Sequence, residues 1–149
     1  MSDFFTTYLN LDLGEEDAPE AAARAAAVLA DQGFQPAEGM GECTFEVQTG
    51  WHNVSAVAAT DDAHCPHCGE AWAQWPELMG EWDASRREPT LTCNSCQGVA
   101  RLGDCFGPEG HAGCFFCHAS VTLWNARATD TAALRTAMGG RFREVRGLV

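Results

Sequence analysis

Residues 65–69, which read Cys65-Pro66-His67-Cys68-Gly69, indicate how the middle of this chain folds. Two cysteines separated by two residues place both sulfur atoms on one side of a tight turn, where they can bind the same metal ion. The glycine lets the backbone amides face the sulfur atoms without a clash from a side chain. Residues 93–98 repeat this form as Cys93-Asn94-Ser95-Cys96-Gln97-Gly98, and two such turns can together supply the four thiolates that a structural zinc site needs.

These two turns resemble those of zinc ribbons, a family that pairs a Cys-Pro-x-Cys-Gly turn with a second Cys-x-x-Cys turn across a small sheet. The resemblance covers residues 61–102 and implies that one structural zinc ion binds to Cys65, Cys68, Cys93 and Cys96. Between the two pairs lie 24 residues, more than the usual spacing of about 15–20, which predicts an elaborated connection. Because zinc ribbons occur in proteins of many functions, the resemblance implies a module and no particular activity.

A third pair, Cys114 and Cys117, leaves the choice of ligands open. Seventeen residues separate Cys96 from Cys114, so Cys93, Cys96, Cys114 and Cys117 form an alternative set of ligands at the usual spacing. We favour the first and second pairs because both of their turns carry a trailing glycine, which the third pair lacks.

Several residues of metal-binding types lie near the third pair and are left over by the favoured site: Cys105, His111, Cys114, Cys117 and His118. They admit three interpretations: a second zinc site, a redox-active pair at Cys114 and Cys117, or cysteines buried as small apolar residues around Phe115 and Phe116. We favour burial because two adjacent phenylalanines are typical of a core. Cys43, which stands alone, is also expected to be buried.

Regular hydrophobic patterns lie on either side of the cysteine-rich middle. Alternation of apolar and polar residues predicts strands, and runs rich in alanine between capping residues predict helices. In order, the predicted elements are a strand at residues 5–13, a helix at 21–31, a strand at 45–48 that an apolar run at 54–59 either extends or pairs with, a strand at 119–124, a helix at 131–138 capped by Asp130, and a strand at 141–149.

The order strand–helix–strand on each side of the middle predicts an α+β fold. We expect a split βαβ, ferredoxin-like arrangement, in which a four-stranded antiparallel sheet carries both helices on one face. Residues 1–60 and 119–149 would form the two halves of one domain, and residues 61–118 an inserted zinc-ribbon module. On the first strand, we expect the face with Phe5 under the helices and the face with Tyr8 away from them.

The chain is strongly acidic, with 21 acidic residues against nine basic ones and a formal net charge of −12. Such a charge disfavours nucleic-acid binding, which depends on neutralising phosphates, and suits a protein partner, including a basic one. The sequence shows no signal peptide and no run of about eighteen apolar residues that would span a membrane. We therefore expect a cytoplasmic protein, in which paired cysteines indicate a metal before a disulfide.

Trp72, Trp75 and Trp82 recur at helix-like spacing in the connection between the two turns. They form either an exposed stripe that docks a protein partner or an apolar cover that seals the zinc module to the sheet. We favour the cover and keep the stripe as the candidate interaction surface.

The sequence carries no recognisable catalytic motif, and four thiolates leave no open position on zinc for water. We therefore expect a non-enzymatic protein with a structural zinc ion held by four cysteines, acting as a protein-interaction or regulatory module. One alternative is thiol-redox or metal-transfer chemistry at Cys114 and Cys117, which needs accessible thiols of lowered pKa. Another is nucleic-acid binding through the zinc ribbon, which the net charge disfavours.

Overall fold

The computed structural model describes residues 3–56, 62–107 and 109–149. A short 3-10 turn spans Leu102–Asp104. No helix among the described residues is both long and apolar enough to cross a membrane. In chain order the helices and strands are β1 (Phe4–Asn10), α1 (Ala18–Gln32), β2 (Phe34–Pro36), β3 (Thr44–Ser55), α2 (Trp75–Ser85), β4 (Thr90–Thr92), β5 (Val99–Arg101), β6 (Cys114–Trp124), β7 (Ala126–Ala128), α3 (Thr131–Met138) and β8 (Phe142–Leu148).

The main sheet is antiparallel, with its four strands in the order β3-β6-β1-β8. β1 lies in the centre, where Tyr8 pairs with Val121 of β6 on one side and with Glu144 of β8 on the other. The predicted α+β class and the antiparallel four-stranded sheet are therefore confirmed. Two smaller antiparallel ladders pair β2 with β7 and β4 with β5.

β3 joins two segments of the sequence pattern, so the apolar run that begins at Val54 extends the predicted strand at residues 45–48. Residues 45–48 and the first two of residues 54–59 lie in this one strand, which is interrupted by a bulge between Thr49 and His52. Residues 57–59 lie outside the part of the chain that the structure describes. A bulge allows one long strand to change direction, which a period-two pattern does not reveal.

α1 and α3 contact each other and pack on one face of the main sheet. α1 has Pro19 in its first turn and ends before Gly33, whose φ of +77° favours glycine. Ala25 is fully buried, and its small side chain lets the helix approach the sheet closely. Asp130 caps α3 by accepting a hydrogen bond of 2.9 Å from the backbone N–H of Ala133.

The cysteine-rich segment, residues 62–107, has little regular structure beyond α2 and the two short strands β4 and β5. Its apolar residues share one core cluster with Phe5, Leu9 and Val145 of the main sheet. Because alternate residues of a strand point to opposite faces, this cluster lies on the face of the sheet away from Tyr8 and the two helices.

The two faces of β1 are therefore covered in the opposite way to the sequence prediction. Tyr8 packs with Leu29 under the helices, whereas Phe5 and Leu9 pack with the cysteine-rich segment. The polar end of Tyr8 has a partner there, since its hydroxyl oxygen accepts a hydrogen bond of 3.1 Å from the backbone N–H of Ala128. The prediction is wrong because this partner allows the ring to be buried on the helix side.

Arg141 connects the cysteine-rich segment to the start of β8. Its guanidinium binds both carboxylate oxygens of Glu88, at 2.5 and 2.9 Å, and Oδ1 of Asp104 at 2.6 Å. Arg143 also donates to Asp104, at 2.7 Å. Burial opposes the charge of Arg141, but its hydrogen bonds to Glu88 and Asp104 outweigh burial and raise the pKa of Arg141. The segment is thus held to the sheet by charge as well as by apolar contact.

Replacing Arg141 with alanine should lower the free energy of unfolding by about 3 kcal/mol, because Glu88 and Asp104 would keep their charges without their main partner. Arg101→Ala is the matched control. Arg101 makes an exposed pair with Asp12 at 3.6 Å and should contribute at most about 1 kcal/mol. Urea denaturation of the two variants measures the difference, and equal losses would show that Arg141 does not hold the segment in place.

Candidate metal centre

Four thiol groups meet at one place in the cysteine-rich segment. The Sγ atoms of Cys65, Cys68, Cys93 and Cys96 all lie within 4.8 Å of one another, and all four cysteines are free. The sulfur atoms of Cys65 and Cys96 are 3.7 Å apart, and those of Cys68 and Cys93 are 3.6 Å apart. A tetrahedral zinc ion with Zn–S distances of ~2.3 Å needs sulfur atoms about 3.8 Å apart, so this spacing suits a metal ion held by four thiolates.

Each pair of cysteines lies in a turn that is closed by a backbone hydrogen bond. In the first turn the N–H of Gly69 donates to the carbonyl oxygen of Cys65 at 2.8 Å, and Gly69 has a φ of +82°. In the second turn the N–H of Gln97 donates to the carbonyl oxygen of Cys93 at 2.9 Å, and Gln97 has the positive φ, +62°. The left-handed position is therefore filled by glycine in one turn and by glutamine in the other.

Gly98 serves a different purpose from Gly69. A Cβ atom at position 98 would lie 2.6 Å from Cδ2 of His67 and 3.2 Å from Sγ of Cys96. The approach is close because Nε2 of His67 bonds to the carbonyl oxygen of Val99 at 2.9 Å, which holds the two turns side by side. The trailing glycine is thus needed for backbone conformation in the first turn and for space in the second.

Backbone N–H groups point at sulfur atoms in both turns. Donation by the N–H groups of Cys96 and Ser95 lowers the pKa of Cys93 to about 6, whereas, against backbone donation, desolvation and hydrogen bonds with neighbouring thiols raise the pKa of Cys68 to about 12 and also raise the pKa of Cys96. The N–H of His67 donates to Sγ of Cys65 at 3.4 Å, and the N–H of Gly98 donates to Sγ of Cys96 at 3.3 Å. Since the thiolate is the form that binds a metal, these donors suit a metal-binding cluster.

The cysteines of the predicted second site lie apart. Among the described residues, Cys105, Cys114 and Cys117 belong to no group whose ligand atoms lie within 4.8 Å of one another. The alternative ligand set, in which Cys114 and Cys117 join the second turn, is likewise not brought together there. Burial raises the pKa of Cys105 and of Cys117 to about 12, and it also raises the pKa of Cys114. Thiols with raised pKa values are poor nucleophiles, which counts against redox chemistry at this pair.

The two histidines near the third pair have other surroundings. Nε2 of His111 lies 3.1 Å from a carboxylate oxygen of Glu109 and 3.3 Å from one of Glu144. His118 packs its ring against Trp51, with 4.9 Å between the ring centroids. In the part of the chain that the structure describes, neither histidine is grouped with cysteines at metal-binding distance.

The tryptophans of the connection pack inside the protein. Trp72 and Trp82 are only 4% and 2% exposed, and Trp75 is half-buried. Trp82 meets Phe116 of β6 with 6.0 Å between ring centroids, and Trp75 meets Phe106 with 5.6 Å. Trp72 and Trp82 therefore do not form an exposed docking stripe, and the packing agrees with rings that seal the segment to the sheet.

Two side chains outside the predicted site have surroundings that no sequence pattern marks. Cys43 is half-buried rather than buried as expected, and it packs at the edge of the core cluster under the helices while its thiol donates to the carbonyl oxygen of Asn125 at 3.3 Å. Trp51 lies at the bulge of β3, where alternation fails, and its Nε1 donates to Oδ1 of Asp83 at 2.9 Å. Its ring also stacks on Phe116 and so adds to the contact between segment and sheet.

Four protein ligands leave no position on a metal ion for water or substrate, so the cluster is suited to a structural role. Comparisons with family models, with curated proteins and with solved structures find no significant match to this chain. Its function is therefore inferred from the geometry of the cluster and from the surface around the main sheet.

The purified protein should contain one tightly bound metal ion per chain, because one cluster of four thiolates forms one tetrahedral site. Cys68→Ser should lose most of this metal, whereas Cys114→Ser should retain it. Elemental analysis of the three proteins, purified in the same chelator-free buffer, measures the ratio. Loss of the metal from Cys114→Ser would instead support ligation by the second and third pairs, and two ions per chain would support a second site.

Gly98→Ala should destabilise the protein by about 1–3 kcal/mol and weaken metal binding, because His67 and Cys96 would have to move. Gly80→Ala is the matched control, since Gly80 lies in α2 with nothing within 4 Å of an added Cβ atom. Alanine favours the helix, so this control should stabilise by up to about 1 kcal/mol. Thermal denaturation and competition with a chromophoric chelator measure both variants, and effects of the same sign would contradict the role given to Gly98.

Proposed function

We propose that this chain is a non-enzymatic, zinc-stabilised protein that acts by binding another protein along the free edge of its main sheet. The four-thiol cluster would supply stability, and the edge strand β3 would supply recognition. The observation that carries the proposal is the exposure of every residue of β3 from Thr44 to Gly50.

Zinc is the metal that we assign to the cluster. Tetrahedral sets of four thiolates hold zinc or iron, and the resemblance of the two turns to a zinc ribbon favours zinc. The second turn connects β4 to β5, a small antiparallel ladder of the kind expected beside such a site. All eight cysteines are free thiols, which is consistent with a reducing compartment such as the cytoplasm.

The main sheet and its two helices form, in this proposal, a split βαβ, ferredoxin-like unit. The strand order β3-β6-β1-β8 and the packing of α1 and α3 on one face support this arrangement. The long connection between β3 and β6 then carries the cysteine-rich segment, and β3 becomes an edge strand. The zinc-ribbon module and the edge strand are thus parts of one arrangement, in which the module covers the face that the helices leave open.

The two edges of the main sheet differ in their cover. Along β8, the N–H of Glu144 donates to the carbonyl oxygen of Glu109, and the N–H of Arg146 donates to that of His111, each at 3.0 Å. Among the described residues β3 pairs only with β6, so its outer N–H and C=O groups have no strand beside them. A partner strand can therefore add to the sheet at β3.

Before its bulge, β3 lacks most of the features that prevent another strand from pairing with an exposed edge. Natural edges are protected by lysine, proline, short length, inward-pointing charge or a bulge, and the bulge of β3 lies beyond Thr49, at the end of the exposed stretch. Between Thr44 and Gly50 the only charged residue is Glu46, while Phe45 and Val47 are 39% and 42% exposed. Backbone hydrogen bonds and these two apolar side chains together offer what a bound extended segment needs.

Nucleic acid is a poorer candidate for the partner. Binding to phosphates requires unpaired basic side chains on the surface. Arg141 and Arg143, two of the arginines near the C-terminus, already bind Glu88 and Asp104 within the protein. The use of these arginines in internal ion pairs thus favours a protein as the partner over a nucleic acid.

Val47→Lys should abolish capture of a protein partner from a lysate of the native organism, because a lysine at the edge prevents strand addition. Val99→Lys is the matched control: Val99 is 58% exposed on β5, outside the main sheet. Affinity purification with each zinc-loaded protein as bait, read by quantitative mass spectrometry, measures the difference. Partners retained equally by both variants would exclude β3 as the binding surface.

A further inference from the structure

We infer that the partner binds through an extended basic segment, in which lysine or arginine residues alternate with apolar ones. The inference rests on the proposed function, since it names the chemistry of the segment that pairs with β3. Directly paired residues of neighbouring strands place their side chains on the same face of a sheet. The side chains of β3 therefore determine which residues the partner presents on each face.

The two faces of β3 differ in character. Val47 pairs with Val121 of β6, so it lies on the face that α1 covers, and Phe45 lies on the same face. Glu46 pairs with Thr122 and lies on the opposite face. A partner strand would bury apolar side chains beside Phe45 and Val47 and would place the alternate side chains beside Glu46.

The carboxylate of Glu46 is available to a cation. Within the described part of the chain its hydrogen-bond donor is Nε1 of Trp124, which reaches Oε1 at 3.3 Å. A carboxylate can accept about four hydrogen bonds, so Oε2 and part of Oε1 can bind a lysine or arginine from the partner. A charged hydrogen bond of this kind is stronger than one between neutral groups.

The chain around β3 is uniformly acidic. No lysine or arginine occurs between Arg24 and Arg86, a stretch that includes all of β3 and the segment leading into it. Glu38, Glu42 and Glu46 are exposed in this stretch. Their combined field attracts a basic segment and accelerates its association at low salt.

A second copy of this chain fits the edge less well. Residues 44–50 include Glu46 and no basic residue, so a β3 strand from another copy would bring no cation to this carboxylate. Each copy also carries a formal net charge of −12, and two such chains repel each other. The charge that opposes self-association attracts a basic segment.

Selection of a displayed library of short random peptides on the zinc-loaded full chain tests the inference. We expect enriched peptides that alternate basic and apolar residues and that fail to bind Val47→Lys. By fluorescence anisotropy, Glu46→Gln, which removes the charge without placing a lysine at the edge, should weaken the binding of the most enriched peptide roughly threefold to fivefold, because the attraction is lost. Glu77→Gln, an exposed change on α2 that alters the net charge equally, should change the affinity by less than about twofold.

Other results of the selection distinguish failure of the basic segment from failure of the proposed function. Peptides that depend on Val47 but are neutral or acidic would overturn the basic segment and leave the proposed function standing. Failure to enrich any peptide that depends on Val47 would overturn both. A dimer of the chain in analytical ultracentrifugation that Val47→Lys dissociates would identify a second copy as the occupant and would also overturn the inference.

Discussion

The convergence of four sulfur atoms within 4.8 Å of one another is the constraint on which the cysteine-rich segment depends. It joins two turns that are separated by 24 residues. Among the described residues, the regular structure between and beside them consists of α2, two three-residue strands and the 3-10 turn at Leu102–Asp104. Ordering a backbone costs ~1–2 kcal/mol of free energy per residue. The local contacts of these short elements offset only a small part of that cost. A metal bound to four thiolates can add ~10–16 kcal/mol of folding free energy to that of the apolar contacts.

Aromatic rings and ion pairs connect this constraint to the main sheet. Trp75 meets Phe106, and Phe106 meets Phe115 of β6, each with 5.6 Å between ring centroids. Arg141 binds carboxylates at both ends of the stretch that contains the second turn, Glu88 and Asp104. These contacts close the face of the sheet that α1 and α3 do not cover. The packing of that face therefore depends on the thiol cluster, although none of the four cysteines lies in the main sheet.

The sequence predicts the parts of this molecule that depend on local chemistry. The two turns, the alanine-rich helix and the Asp130 cap each require particular residue types at short spacing, so a pattern reveals them. The faces of β1 are different, because both are buried and alternation cannot say which face lies under the helices. That choice depends on a donor for Tyr8, the N–H of Ala128, which is distant in sequence. The burial of the tryptophans is likewise not determined by local sequence. Their spacing is typical of a helix, and Trp75 and Trp82 do lie in α2. Whether a ring is buried depends on what packs against it, and β6 brings Phe116 to Trp82 from outside the segment.

In the proposed function, recognition of a partner depends on the surface that packing leaves free. A closed set of four thiolates offers no site for substrate, and the rings of Trp72 and Trp82 are used in the core. The edge of β3 combines exposed backbone groups, two exposed apolar side chains and the carboxylate of Glu46. Almost any extended segment can make backbone hydrogen bonds at a sheet edge, so these bonds give affinity without selectivity for a particular partner. In this proposal, selectivity comes from the side chains on the two faces, and the acidic stretch around Glu46 favours a segment that carries a cation.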